Sequence, residues 1–312
     1  MNATTVVSAG AVVLVLLLLA DSSPATDRDG GDDCLQTNIE DWGDAPEGVL
    51  AYPGVVGKFP TCRDMSLVGT QEIPPGCPPL STSPHVTGHI FHAHDPSPAP
   101  GYWLGCSTDS AGAVQGIDSE PEGKVNEPPA GTSFCAPGLP GDCVEGAFTL
   151  AWDQDECYLD GSDAGLTTPP TLVVCESASL TFNTYNCDVS SREVFLNILI
   201  DMNHDGDWND AELCGTACAY EWVVKNATIV LPPGCGTITS PGFLVGPTPG
   251  PAWIRISLTD VRVTDDYPWA GGAGHGGFTG GETEDYPMML DTGVPVEPTS
   301  WGKVKARYGE GD

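Results

Sequence analysis

No stretch of this chain keeps the 3.6-residue period of a helix, while short β-branched and aromatic runs recur between clusters of Gly, Pro and Asp. The runs are "AFTLAW" (147–152), "TLVVCESASLTF" (171–182), "EVFLNILI" (193–200), "YEWVVKNATIVL" (220–231), "GFLVG" (242–246), "AWIRISLTD" (252–260) and "DYPMMLD" (285–291). Several alternate apolar with polar residues, as in "WIRISL". Strands of this kind with turn signals between them predict an all-β fold, an antiparallel β-sandwich over residues 146–291. Residues 26–145 differ. "QEIPPGCPPL" and "HDPSPAPG" cannot be helices, because proline lacks the amide donor and clashes with the preceding turn. That region reads as loops and short strands pinned by disulfides, and residues 292–312 as a C-terminal tail.

The cysteines carry the next constraint. Twelve occur: Cys34, Cys62, Cys77, Cys106, Cys135, Cys143, Cys157, Cys175, Cys187, Cys214, Cys218 and Cys235. Zinc ribbons need pairs two residues apart, and no such pair is present. Disulfides are therefore expected, with sequence-local pairs such as Cys214–Cys218 and Cys135–Cys143 as the simplest guesses. Disulfides require an oxidising compartment, and the N-terminus agrees. The run from Val6 to Ala20 is apolar and "SPA" at 23–25 offers small residues for cleavage, so residues 1–25 read as a signal peptide. No Lys or Arg precedes the run, which leaves a retained anchor as the rival reading. The run is shorter than the roughly 20 residues that span a bilayer. The chain is expected to be secreted or held at the cell surface, with no membrane insertion after cleavage.

Charge narrows the partners. Eleven Lys and Arg face 43 Asp and Glu, for a net charge of −32. Nucleic acid and anionic lipid would be repelled. Hard cations would be attracted, and one segment is shaped for them. In "DMNHDGDWNDAE", Asp201, Asn203, Asp205, Asp207, Asn209 and Glu212 fall at positions 1, 3, 5, 7, 9 and 12 of a calcium loop, with Gly206 at the turn. The flanks are strand-like, so an ion stapling a turn is expected rather than a helix–loop–helix sensor. His204 falls at a non-ligand position and is expected to face solvent. The rival reading is a solvated acidic turn.

"ILIDMNHDGDWNDAE", "AWIRISLTD" and "GGETEDYPMML" together resemble the GEVED domain of secreted and cell-surface bacterial proteins. "DWGDAP" (41–46) and "LGCSTDSAGAVQGIDSEPEG" (104–123) are similar to segments that often precede it. The resemblance covers roughly 145–291. It implies a β-sandwich found in adhesive or structural proteins, with no established catalytic role. The chain departs from the family at Thr283, where Val is usual, and in its many cysteines. Glu282, Glu284 and Asp285 form a second acidic group that would complete the calcium shell if the last strand lies beside the loop. Equally, Glu284 can pair with Arg255 or Arg262 inside the sandwich.

Other chemistry is thinner. His85, His89, His92 and His94 cluster before Asp95, and His89, His92 and His94 are candidate transition-metal ligands. No H-E-x-x-H, G-x-S-x-G or phosphate loop occurs, so the chain reads as a non-enzyme. Asn226 opens an N-glycosylation sequon. The expected function is a calcium-stabilised structural or adhesive protein, a subunit of an extracellular assembly or filament. Its partners would be copies of itself or cell-surface components. One alternative is a calcium-dependent carbohydrate-binding module that offers Trp103, Trp208, Trp269 and Trp301 to glycans. Another is a metal-dependent enzyme built on the His85–His94 cluster.

Overall fold

The computed structural model describes residues 39–42, 45–60, 69–79, 91–94, 101–106, 165–166, 170–270, 278 and 280–293. Outside them lie the expected signal peptide, the 147–152 strand, Cys34, Cys62, Cys135, Cys143, Cys157, His85, His89, Trp301 and nearly all of the tail.

The described chain is almost entirely β. Its strands are β1 (Ile39–Trp42), β2 (Glu47–Tyr52), β3 (Val55–Lys58), β4 (Phe91–His94), β5 (Tyr102–Leu104), β6 (Leu172–Val173), β7 (Ser177–Ala178) and β8 (Thr181–Asn186). There follow β9 (Arg192–Ile200), β10 (Ala211–Cys214), β11 (Ala217–Tyr220), β12 (Trp222–Leu231), β13 (Gly234–Thr239), β14 (Phe243–Leu244), β15 (Gly250–Thr259) and β16 (Gly281–Asp291). A single helical turn, α1 (Tyr267–Ala270), precedes the last strand.

One sheet has the order β12-β9-β15-β16-β6, and a second has the order β13-β8-β5. All pairings are antiparallel except β16 with β6. Strands from both sides of residue 145 therefore share a sheet, since β5 lies against β8. Between the sheets sits a core of Leu104, Phe182, Leu196, Ile198, Ile200, Ile254, Ile256, Leu258 and their neighbours.

The alternation in "WIRISL" places Ile254, Ile256 and Leu258 in that core. It sends Trp253, Arg255 and Ser257 to the opposite face, as the period of two requires. That face is not wet. The β2–β3 hairpin, Trp208 and α1 cover it with a second apolar cluster of Ala51, Tyr52, Phe59, Leu199, Trp208, Trp222, Trp253 and Tyr267. Arg255 is consequently only 1 % exposed and Ser257 fully buried. The central strands behave like those of a three-layer protein, with polar residues enclosed rather than solvated.

Gly281 starts β16 with φ 88°, and a Cβ there would sit 1.9 Å from the Leu258 carbonyl oxygen. Only glycine fits that approach.

Among the described residues, disulfides join Cys77–Cys218, Cys106–Cys235 and Cys175–Cys214. Cys187 is also disulfide-bonded. The local pair Cys214–Cys218 does not form. Cys218 stands opposite Leu213 and Cys214 opposite Ala217 in the β10–β11 hairpin, so the two sulfurs leave opposite faces of the ribbon. Among the described residues no helix is long and apolar enough to cross a membrane.

Candidate metal centre

The acidic turn leaves the end of β9 and runs into β10, which pairs with β11 in a separate two-stranded ribbon. Its curl is made by side chains bonding to backbone two or more residues ahead. Asp201 accepts from the amides of His204 (2.7 Å) and Gly206 (2.9 Å). Asn203 Oδ1 accepts from Asp205 N at 3.0 Å, Asp205 Oδ1 from Asp207 N at 3.3 Å, and Asp207 Oδ1 from Asn209 N at 3.4 Å. Successive Asx turns of this kind wind the chain so that alternate carboxylates converge. Gly206 has φ 89°, and a Cβ on it would lie 2.8 Å from the Val56 carbonyl oxygen, so the hairpin can close only over glycine.

Three carboxylates meet. Ligand atoms of Asp205, Asp207 and Asp210 all lie within 4.8 Å of one another. Asp205 and Asp207 are among the residues expected from spacing; Asp210 is not. Glu212, expected to close the shell, turns instead to the 246–248 segment, where its Oε1 accepts from the Thr248 hydroxyl at 2.9 Å. The cause is the flank. A loop that runs into a helix brings position 12 back over the ion, whereas Ala211–Cys214 is a strand, which turns neighbouring side chains to opposite faces. Asn203 reaches the trio indirectly, donating from Nδ2 to Asp210 Oδ2 at 2.7 Å. Asn209 is buried, and its Nδ2 has no hydrogen-bond partner among the described residues. His204 is half-buried rather than turned wholly to solvent. It adopts φ 64°, packs edge-on against Tyr52 with ring centroids 5.6 Å apart, and crowds Gly250.

Two sets of residues that spacing could not reveal complete the site. Glu221, fully buried between β11 and β12, ties both ends of the turn together. It accepts from the amides of Met202 (2.9 Å), Asn203 (3.4 Å) and Asp210 (3.0 Å). The N-terminal segments supply donors from above. The Tyr52 hydroxyl donates to Asp201 at 2.9 Å and Thr70 N to Asp207 at 3.0 Å, while Glu72 N donates to Asp210. Lys58 Nζ lies 3.4 Å from the Asp205 carbonyl oxygen and 3.7 Å from Asp207 Oδ2.

The electrostatics are one-sided. Among the described residues the basic side chain that reaches this group is Lys58, against Asp201, Asp205, Asp207, Asp210 and Glu221. Burial, the largest cause, pushes Asp201 up to about 8 despite the Tyr52 and amide bonds. Burial and the Asp205 charge push Asp207 up to about 7, and burial does the same to Asp210. Glu221 is raised well above its ordinary value by burial and by Asp201. Carboxylates so placed at neutral pH stay protonated or meet a cation. The donors are all hard oxygens, a set that suits calcium, magnesium or manganese rather than zinc or copper.

The second acidic group lies elsewhere. Glu282 and Glu284 face the sandwich interior, where Glu282 accepts from Leu104 N at 2.5 Å and Glu284 from Gly165 N at 2.9 Å and from the Tyr286 hydroxyl. Asp285 is on the other face and binds Arg255, its direct cross-strand neighbour. The arginine's partner is thus Asp285 rather than Glu284.

His92 is a buried core residue. Its Nδ1 lies 3.1 Å from the Gly280 carbonyl, which can only accept, so Nδ1 carries a proton. Its Nε2 lies 2.8 Å from Thr283 Oγ1. Thr283 continues to Ser257 (2.7 Å), and Ser257 Oγ accepts from the Tyr267 hydroxyl (2.6 Å). Both ring nitrogens of His92 are therefore engaged away from any metal; His85, His89 and the side chain of His94 lie outside the described residues. A valine at 283 would break this chain of bonds between His92 and Ser257. Thr283→Val should lower stability by about 1–3 kcal/mol, read as a drop in melting temperature with the fold retained by circular dichroism. An unchanged melting temperature would show the relay to be dispensable.

Two further expectations meet the structure. Trp103 and Trp208 are buried at 1 % and 0 % exposure, so neither is offered to a glycan. The Asn226 amide that would carry a sugar donates to the Val263 carbonyl at 2.9 Å, and its oxygen accepts from Val263 N at 2.8 Å.

No protein-family model and no curated protein sequence matches this chain. Among solved structures, native alpha-2-macroglobulin from Escherichia coli aligns twice, each time over 40 % of this chain with a TM-score of 0.23. The crystal structure spanning domain MG7 to the C-terminus is 12 % identical with 15 % of its chain covered, and the cryo-EM reconstruction 13 % identical with 6 % covered. Overlap of that extent adds nothing to the fold described above.

Proposed function

We propose that this chain is a secreted structural protein of the GEVED type, a building block of a cell surface or extracellular assembly, in which calcium at the 201–210 turn clamps the N-terminal segments to the β-sandwich. The observation that carries this reading is the convergence of Asp205, Asp207 and Asp210 beneath donors from Thr70, Glu72 and Lys58. An ion bound there neutralises carboxylates that burial otherwise disfavours, and it fixes the residues on which the N-terminal segments rest. The disulfides support the extracellular setting. The order of acidic turn, arginine strand and "GGETED" strand supports the family.

Isothermal titration of calcium into the chelator-stripped full chain tests the ion. Asp205→Asn with Asp210→Asn should weaken binding more than about tenfold, since even outer-shell changes at metal sites cost 10–100-fold. Equal uptake by parent and variant, or none by the parent, would remove the proposal. Magnesium and manganese titrations rank the candidate ions.

A further inference from the structure

No further inference is drawn: the strongest candidate, the clasp that residues 45–60 and 69–79 make over the Asp205–Asp207–Asp210 cluster, belongs to the cation site already described and has no second observation that points to a ligand.

Discussion

Stripping divalent cations from the purified protein should lower its melting temperature by roughly 5–10 °C. An ion held at 100 times its dissociation constant stabilises by about 2.7 kcal/mol, and each kcal/mol moves a domain of this size by about 2–4 °C. The loss should also be local. The amides of Lys58, Thr70 and Glu72 bond to the turn itself, to Gly206 O, Asp207 and Asp210. Their hydrogen exchange should accelerate in chelator before that of Ile254 or Ile256 in the central strand. The pH dependence has a definite sign. Asp201, Asp207 and Asp210 have folded values near 8, 7 and 7, above the ordinary 3.8. A group raised on folding stabilises below its unfolded value and loses that contribution as pH climbs through the folded one. Ion-free protein should therefore lose stability from these groups between about pH 4 and pH 8. A bound cation favours the ionised forms and abolishes the loss. The gap in melting temperature between calcium and chelator should accordingly widen from pH 5.5 to pH 8. A gap that is constant or narrows with pH would mean that these carboxylates do not hold the ion.

How much of this could be read in advance depends on the range of each interaction. Strand positions were legible because Gly, Pro and Asp interrupt β-branched runs, and the acidic turn because its oxygens repeat every second residue. Boundaries were less so: "TLVVCESASLTF" divides into three strands, β6, β7 and the start of β8, around a turn where Cys175 takes φ 58°. The shell failed at Glu212, where a loop pattern learned from helical flanks meets a strand. Glu221, Tyr52, Thr70 and Glu72 were invisible, since a residue 149 positions away, as Tyr52 is from Asp201, leaves no local signature. The buried polar face of β15 was misleading for a related reason. Alternation announces two faces, but whether the second meets water depends on a hairpin 200 residues earlier, as the Tyr52 hydroxyl bond to Trp253 N shows.

Asp285→Ala should be strongly destabilising. Arg255 donates from Nε to Asp285 Oδ1 at 2.7 Å, from Nη2 to Oδ2 at 2.5 Å, and from Nη1 to the Pro60 carbonyl at 2.6 Å. Asp285 also accepts from Ala45 N at 2.7 Å, and the guanidinium lies 4.5 Å from the Trp208 ring centroid. The pair thus holds the segment carrying the β2–β3 hairpin at Ala45 and at Pro60, and it seats the tryptophan of the acidic turn. Removing the carboxylate leaves a buried cation without its bidentate counter-charge, at a cost of about 3–5 kcal/mol, or roughly 10 °C or more in melting temperature. Arg255→Met combined with Asp285→Leu should cost less than Asp285→Ala alone, because no charge is then stranded. Calcium affinity separates position from mere stability. Where the variants stay folded, it should fall with both, because each loses the anchor at Ala45 and the double variant also loses the anchor at Pro60 and the cation over Trp208. A double variant as damaging as the single one would locate the stabilisation in packing around the pair rather than in its charges. Unaltered calcium binding in a folded Asp285→Ala protein would show that the hairpin and the turn are not coupled through Arg255.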